Sequence, residues 1–275
     1  MMYNLKFVKI SGEHQIAGVG FGGDIFIVLN VLTSINTNDK LHVDMQSNEC
    51  VCTEKEMIFG TFNCWEYYFN QPQIDNQNGV IHVDSLSRTG SLNYDNQDQF
   101  MFPGNFKELG TRFFDNFKLK PYLQKMLCEY CNDNIKDKVT LGVQIRLTDM
   151  KYHHNVAPVE KYIKKINEIL VSNPSIKQVF LATDDGVIIP KVRDEVVVPV
   201  LCYEDMFRSS LCNPHLNPYD RINGYREFHR YNLGVECIKD ILTLSKCDYL
   251  LKADRSAMSL VAIILSENIR EVYKV

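Results

Sequence analysis

The sequence lacks both long hydrophobic runs and clusters of basic residues. No window of about 18 consecutive apolar residues occurs among its 275 residues, so we expect no membrane-spanning helix. The net charge is −4 and lysine and arginine form no sustained run, which argues against nucleic acid or an anionic membrane surface as the main partner. Nothing at the start of the chain resembles a cleavable targeting signal. We therefore expect a soluble, cytoplasmic protein.

The nine cysteines do not suggest a disulfide framework, because their number is odd and they are scattered among strand-like and helix-like segments. The pairs Cys128-x-x-Cys131 and Cys50-x-Cys52 have spacings that zinc ligands also use. The helical pattern around Cys128 instead explains that residue as a small buried apolar one. We expect reduced thiols and no zinc site at these cysteines.

A glycine-rich turn near the start of the chain joins a predicted strand to a predicted helix. The strand covers residues 5–10, the turn 18–23 and the helix 24–35, and a second strand follows at 41–45. The spacing G-x-G-x-x-G, with Asp44 about 20 residues later, meets the fingerprint of dinucleotide-binding proteins. An NAD- or FAD-dependent oxidoreductase is therefore one alternative, and a simple tight turn is another.

The middle of the chain is less regular. An aromatic cluster at residues 65–69 (Trp65, Tyr67, Tyr68 and Phe69) favours a packed aromatic patch over a direct sugar-binding platform. Helical periodicity covers 112–130, and the polar segment 132–138 is the predicted domain boundary. The length allows two domains, which we place at 1–135 and 136–275.

The second half alternates regularly between strands and helices. Strands are predicted at 139–145, 178–182, 196–202 and 248–251, and helices at 158–170, 187–194, 233–244 and 256–267. This alternation is typical of parallel βαβ units. We expect an α/β protein of two Rossmann-like, doubly wound domains facing a central cleft.

Polar residues follow three of these predicted strands. The segment 141–149, L-G-V-Q-I-R-L-T-D, is an apolar strand that delivers Arg146 and Asp149 at its carboxyl end. The next strand ends in Asp184 and Asp185, and the last leads through Arg255 to Ser256, where a helix begins. Ligands of open α/β sheets bind at this edge, and an arginine and a helix N-terminus can share a diphosphate. Capping and turn formation explain Ser256 and the two aspartates equally well.

Four segments in fixed order resemble one glycosyltransferase group. They are V-Q-I-R-L-T-D, A-P-V-E-K-Y (157–162), V-F-L-A-T-D-D (179–185) and D-I-L-T-L-S-K-C-D-Y-L-L-K-A-D-R-S (240–256). Together with G-F-G-G-D-I-F (20–26) and C-W-E-Y-Y-F (64–69), they are similar to the α-1,6-fucosyltransferase group, including the nodulation fucosyltransferases, within the protein O-fucosyltransferase-like superfamily. The resemblance covers nearly the whole chain.

This resemblance implies an inverting transferase of GT-B architecture that uses a GDP-sugar, most directly GDP-fucose, without an obligatory metal. Arg146 matches the group's catalytic arginine, Ser256 its phosphate-binding serine and Asp240 the acid that binds guanine. Gly22 and Gly23 would let the backbone approach the donor. The remaining donor-binding candidates are Gln144, Asp184, Asp185 and Arg255, and Asp149 is a further catalytic candidate.

The sequence departs from the group's pattern next to these residues. Gln144 replaces the usual histidine, Leu147 the second arginine and Ala257 the second serine, which weakens the expectation that the donor sugar is fucose. The group's glutamate after this segment is also absent. His153 and His154 lie nearby and have a pKa range suited to a general base, although surface histidines are the plainer interpretation.

Three functions remain open. The first is a GDP-sugar-dependent glycosyltransferase acting on a glycan or glycoconjugate acceptor. The second is the dinucleotide-dependent oxidoreductase that the glycine turn suggests. The third is a binding protein that keeps the fold and the nucleotide-sugar site but has lost turnover.

Overall fold

The computed structural model describes residues 2–7, 20–46, 51–73, 79–83, 90–93, 95–148, 156–208, 219–220 and 224–275. The helices are α1 (Phe21–Ser34), α2 (Trp65–Tyr68), α3 (Lys107–Asn116), α4 (Pro121–Asn134), α5 (Val159–Ser172), α6 (Ile188–Glu195), α7 (His229–Leu244) and α8 (Ala257–Ile264). The strands are β1 (Met2–Phe7), β2 (Lys40–Asp44), β3 (Phe69–Asn70), β4 (Gly79–Val83), β5 (Lys118–Leu119), β6 (Thr140–Ile145), β7 (Gln178–Thr183), β8 (Val200–Leu201), β9 (Tyr219–Asp220), β10 (Gly224–Tyr225), β11 (Tyr249–Lys252) and β12 (Glu271–Lys274).

Two parallel sheets organise these elements. The first has the order β2-β1-β4 and the second the order β12-β11-β6-β7-β8, and all neighbouring strands in both are parallel. Every residue of β6 and of β7 is buried, as expected for central strands that helices cover on both faces. The prediction of an α/β protein with parallel sheets is confirmed.

One hydrophobic core runs through both halves of the chain. Helix α1 is buried from Phe21 to Leu32, as its nearly uniform apolar sequence predicts, and it packs against α7, α8 and α3. Leu29 of α1 and Leu260 of α8 are fully buried members of this core. A smaller core on the opposite face of the second sheet includes Ile166 of α5 and Val192 of α6.

Several predicted boundaries were wrong. The helix predicted at 112–130 is two helices, because the chain leaves the helical conformation at Phe117 and Pro121 starts α4. Proline fits the first turn of a helix and disrupts an interior. The strand predicted at 196–202 shortens to Val200–Leu201, and the edge strand β12 was not predicted, because it alternates between exposed charged residues and the buried Val272.

The predicted aromatic patch is confirmed, since the four rings of the cluster at 65–69 are buried and pack together. Trp65 stacks on Phe69 at 4.6 Å between ring centroids. The seven cysteines that the structure describes form no disulfide with one another, but Cys128 is exposed rather than buried as predicted. None of the helices in the described ranges is long and apolar enough to cross a membrane.

Candidate active site

A pocket opens at the carboxyl ends of β6 and β7, between the N-termini of α1 and α8 and one side of α7. Six predicted site residues line it: Gly22, Gly23, Gln144, Arg146, Asp184 and Asp240. The edge of the second sheet at which the sequence predicted a ligand is therefore the edge at which the pocket lies.

Arg146 is half-buried in this pocket, directly after the last residue of β6. Burial raises the pKa of the Cys237 thiol on α7 to about 12. The positive charge of Arg146 and a hydrogen bond with the Gly22 backbone oppose that rise. Arg146, the first turn of α1 and the middle of α7 therefore lie close together around the pocket.

The N-termini of α1 and α8 meet at Gly22. A Cβ atom on Gly22 would lie 2.9 Å from Met258 Cγ, so the absence of a side chain lets the first turn of α1 approach the first turn of α8. The helix begins three residues earlier than the predicted start at Asp24, which places Gly22 and Gly23 inside it rather than in a preceding loop. Two partially positive helix ends therefore border the same pocket.

Ser256 occupies the N-cap position of α8, as predicted, but its side chain makes no capping hydrogen bond. The residue is fully buried, and its Oγ has no hydrogen-bond partner among the described residues. A buried hydroxyl without a partner costs about 1–3 kcal/mol, so such a group calls for an explanation. The next two residues, Ala257 and Met258, line the pocket, whereas Ser256 is not one of the lining residues.

Asp240 presents a second buried oxygen without a partner. The residue lies on α7 and is 6% exposed, and its Oδ1 accepts no hydrogen bond from the described residues. Burial raises the pKa of this carboxyl to about 7, with Arg208 opposing the rise and Glu236 adding to it. The pocket thus contains a carboxyl group with one buried oxygen that has no partner among the described residues.

Arg208 and Glu236 also line the pocket, and neither was predicted. Arg208 donates hydrogen bonds to the carbonyls of Thr183 at 3.1 Å and Tyr203 at 2.6 Å. Glu236 binds Arg226 through both carboxylate oxygens, at 2.5 and 3.2 Å. No motif marks Arg208, which reaches the pocket through tertiary packing of the chain that follows β8. Glu236 lies one helical turn before Asp240 on α7, so the spacing on the predicted helix was a signal for it.

Asp184 and Gln144 line the pocket but are engaged in hydrogen bonds within the protein. Asp184 accepts from the Leu147 N–H at 2.9 Å, the Thr148 N–H at 3.2 Å and the Thr148 hydroxyl at 2.6 Å. Gln144 Oε1 accepts from the Ser259 hydroxyl at 2.7 Å, which ties β6 to α8. Asp184 therefore fixes the backbone immediately after Arg146.

The other predicted residues lie away from the pocket lining or outside the described ranges. Asp185 accepts from the Val187 N–H at 2.9 Å in the turn before α6. Arg255 is exposed and has a φ of 48° in the turn before Ser256. Asp149, His153 and His154 lie outside the described residues, so their roles stay predictions.

Within the described ranges, no group of three or more histidine, cysteine, aspartate or glutamate side chains could hold a metal ion. Asp44, the acid of the dinucleotide fingerprint, accepts from the Gln46 N–H at 3.0 Å in a local turn and does not line the pocket.

Comparison with solved structures identifies the architecture. A crystal structure of NodZ α-1,6-fucosyltransferase soaked with GDP-fucose matches with a TM-score of 0.56 and 12% identity, covering 96% of this chain and 92% of that one. Fucosyltransferase NodZ from Bradyrhizobium matches with a TM-score of 0.54 at 12% identity over 98% and 94% of the two chains. POFUT1 in complex with GDP gives 0.55 at 8% identity over 99% and 97%.

The chain has the GT-B fold of these fucosyltransferases. The expected architecture is therefore confirmed, and the structural neighbours belong to the group that the sequence segments resemble. No protein-family model matches the sequence, and no curated protein sequence does either.

Proposed function

We propose that this protein is an inverting glycosyltransferase that moves L-fucose from GDP-fucose to a carbohydrate acceptor. The observation that carries this proposal is the composition of the pocket. Arg146 and the N-termini of α1 and α8 border it, and the Oδ1 of Asp240 on α7 has no partner among the described residues. A guanidinium and helix N–H groups suit the diphosphate of a GDP molecule, and a carboxylate oxygen suits the N–H donors of its base.

The diphosphate is proposed to bind where α1 and α8 begin. When the bond to the sugar breaks, negative charge develops on GDP, and a guanidinium with oriented N–H groups stabilises it. Arg146 supplies the positive charge, and the N-terminus of α8 supplies N–H groups with the Ser256 hydroxyl beside them. That hydroxyl has no partner among the described residues, and Ser256 lies directly before Ala257 and Met258, which line the pocket although Ser256 does not; both observations support a phosphate oxygen as its partner.

The guanine base is proposed to bind Asp240. A carboxylate accepts from N1–H and N2–H2 of guanine together, whereas uracil and adenine do not offer that pair of donors. Binding would satisfy the buried Oδ1 and favour the ionised form of the carboxyl. The GDP and GDP-fucose in the structures of the neighbouring proteins support this choice of nucleotide.

The remaining predicted residues keep proposed roles of different kinds. Asp184 is proposed to position the backbone beside the donor, and Gln144 to shape the pocket wall between β6 and α8. His153 and His154 remain the candidates for the base that accepts the acceptor's proton, and Asp149 remains a further catalytic candidate. Asp185 and Arg255 would reach the donor only through a rearrangement of their turns.

The cellular setting is also a proposal. The odd number and scattered positions of the nine cysteines suit reduced thiols and therefore the cytoplasm. The proposed partners are a GDP-sugar and a glycan or glycoconjugate, and the charge for catalysis comes from Arg146 and the helix N-termini rather than from a required metal.

Ligand-observed NMR with GDP, UDP and NAD tests the nucleotide site directly. We expect saturation transfer to GDP, weaker transfer to UDP and none to NAD. Saturation by NAD without a response to GDP would instead support the oxidoreductase that the glycine turn suggested.

Arg146→Ala tests the catalytic claim. Loss of one group that stabilises developing charge typically lowers the rate by about 10²–10³-fold, and we expect that loss in sugar transfer from GDP-fucose. Arg270→Ala is the matched control, because Arg270 is an exposed arginine that pairs with Asp248. Full activity in Arg146→Ala would contradict the leaving-group assignment, whereas GDP binding without turnover in the wild type would favour a binding protein.

A further inference from the structure

A tight hairpin turn near the pocket holds an exposed phenylalanine. Ile58 and Thr61 exchange two backbone hydrogen bonds of 3.1 Å, with Phe59 and Gly60 between them. Both central residues have positive φ, 52° for Phe59 and 79° for Gly60, as a type I′ turn requires. Asn-Gly or Asp-Gly is the favoured pair for this turn, and a left-handed conformation costs a residue such as phenylalanine roughly 1–2 kcal/mol.

The fold gains little burial in return for this strain. Phe59 is 65% exposed, and its neighbours Met57 and Phe62 are also exposed apolar residues. Strained backbone at a non-glycine residue is a recurrent feature of binding sites, where the conformation aims a side chain at a ligand. Phe59 is therefore aimed outward at a stability cost.

A chain of ring contacts connects Phe59 to the pocket. Its ring lies 5.7 Å from that of Tyr122 and 6.1 Å from that of Tyr231, measured between centroids. Tyr231 stacks on Tyr68 at 5.8 Å with an interplanar angle of 7°, and Tyr68 lies 4.8 Å from Phe21, which lines the pocket. The exposed ring is thus the outer member of a series of ring contacts that begins at the proposed donor site.

The segment that carries the hairpin is fixed to the start of α7. Glu54 accepts from the Tyr231 N–H at 2.8 Å, and the Thr53 carbonyl accepts from Arg230 at 3.2 Å. On the other side of the turn, the Thr61 hydroxyl donates to Glu66 at 2.8 Å. These bonds hold the ring in place without covering its face.

We propose that Phe59, flanked by Tyr122 and Tyr231, is the platform on which a pyranose ring of the acceptor glycan stacks. The proposal rests on the glycosyltransferase function proposed above. The apolar face of a pyranose, with its axial C–H groups, suits a flat exposed ring, while its equatorial hydroxyls need hydrogen-bonding groups at the rim. Lys55 and Glu56 are exposed, four and three residues before Phe59, and offer such groups.

Phe59→Asn is the decisive variant, because asparagine before glycine suits the type I′ turn and removes only the ring. The probe is a glycan array read with GDP present, followed by titration of the strongest-binding oligosaccharide. We expect its affinity to fall at least about tenfold, with the Kd for GDP unchanged and the melting temperature unchanged or higher. Phe59→Trp should keep binding, and Phe102→Asn is the matched control at an exposed phenylalanine elsewhere.

The outcomes separate the platform from the nucleotide site. Glycan binding that survives in Phe59→Asn, or a wild type that binds GDP but no glycan on the array, overturns the platform and leaves the nucleotide site standing. If the wild type binds a glycan but not GDP, and Phe59→Asn loses the glycan, the platform is supported and the proposed donor is overturned.

Discussion

Replacing Asp240 with asparagine should change how the stability of the ligand-free protein depends on pH. Burial raises the pKa of this carboxyl from its ordinary value of 3.8 to about 7, so the folded protein holds the ionised form at a cost. Each pH unit of displacement corresponds to about 1.4 kcal/mol, which gives about 4 kcal/mol in total. The protonated carboxyl therefore stabilises the folded wild type by this full amount below about pH 4, and the stabilisation is lost progressively as the pH rises to about 7.

An asparagine amide does not titrate, so the fixed cost of burying it is the same at every pH. The difference in unfolding free energy between Asp240→Asn and the wild type should therefore shift by about 4 kcal/mol in favour of the variant between about pH 4 and pH 8. Urea unfolding of both proteins across this range measures that shift. Asp133→Asn, at an exposed position of α4, is the control and should show no comparable change. A difference that does not vary with pH would refute the burial argument for Asp240.

The same substitution should weaken GDP binding, because guanine would lose a charged acceptor. Hydrogen bonds to charged groups contribute about 1.5–3 kcal/mol, so the Kd for GDP should rise roughly 10- to 150-fold near pH 8, with a much smaller change for UDP. In the wild type, GDP affinity should fall about tenfold for each pH unit below 7, because the carboxyl must ionise to bind. Calorimetric titration at several pH values checks both effects, and an unchanged preference for GDP over UDP would contradict the guanine assignment.

Two further substitutions test the packing of α3 on α8 and the positioning of the chain beside Arg146. Gly110→Ala should destabilise the protein by about 1–3 kcal/mol in thermal or urea unfolding, because a Cβ there would lie 2.5 Å from the Ile264 carbonyl oxygen of α8. Gly104→Ala, where a Cβ meets nothing within 4 Å, is its control, and equal effects would contradict this close approach. Asp184→Ala should weaken GDP binding and lower the transfer rate, since three hydrogen bonds that position the chain after Arg146 are lost. Asp185→Ala, next to it but away from the pocket lining, should affect the Kd for GDP much less.

The parts of the fold that the sequence predicted are those set by local pattern. The buried strands β6 and β7 are continuous apolar runs, and their charged ends mark the edge of the sheet, so the positions of Arg146 and Asp184 follow from periodicity alone. The break between α3 and α4 carries a local signal in Pro121, but the apolar spacing continues across it and conceals the break.

Other features depend on contacts that no local pattern encodes. Arg208 reaches the pocket because the carbonyls of Thr183 and Tyr203, distant from each other in sequence, hold its guanidinium. The engagement of Asp184 with the Leu147 and Thr148 backbone likewise depends on the pairing of β6 with β7. The outward direction of Phe59 follows from its positive φ. Phenylalanine disfavours that conformation, so residue preferences alone would not predict this turn.

The core shared by α1, α7 and α8 has a consequence for protein engineering. Exchanging one half of the chain between glycosyltransferases requires that the core of each half be packed without side chains from the other half. Here α1 belongs to the first half of the sequence but is buried against helices of the second, and Gly22 meets Met258 with no room for a methyl group. A chimera joined near residue 135 would therefore have to transplant α1 together with its contacts on α7 and α8, so individual loops around the hairpin at 58–61 are the more practical units of exchange.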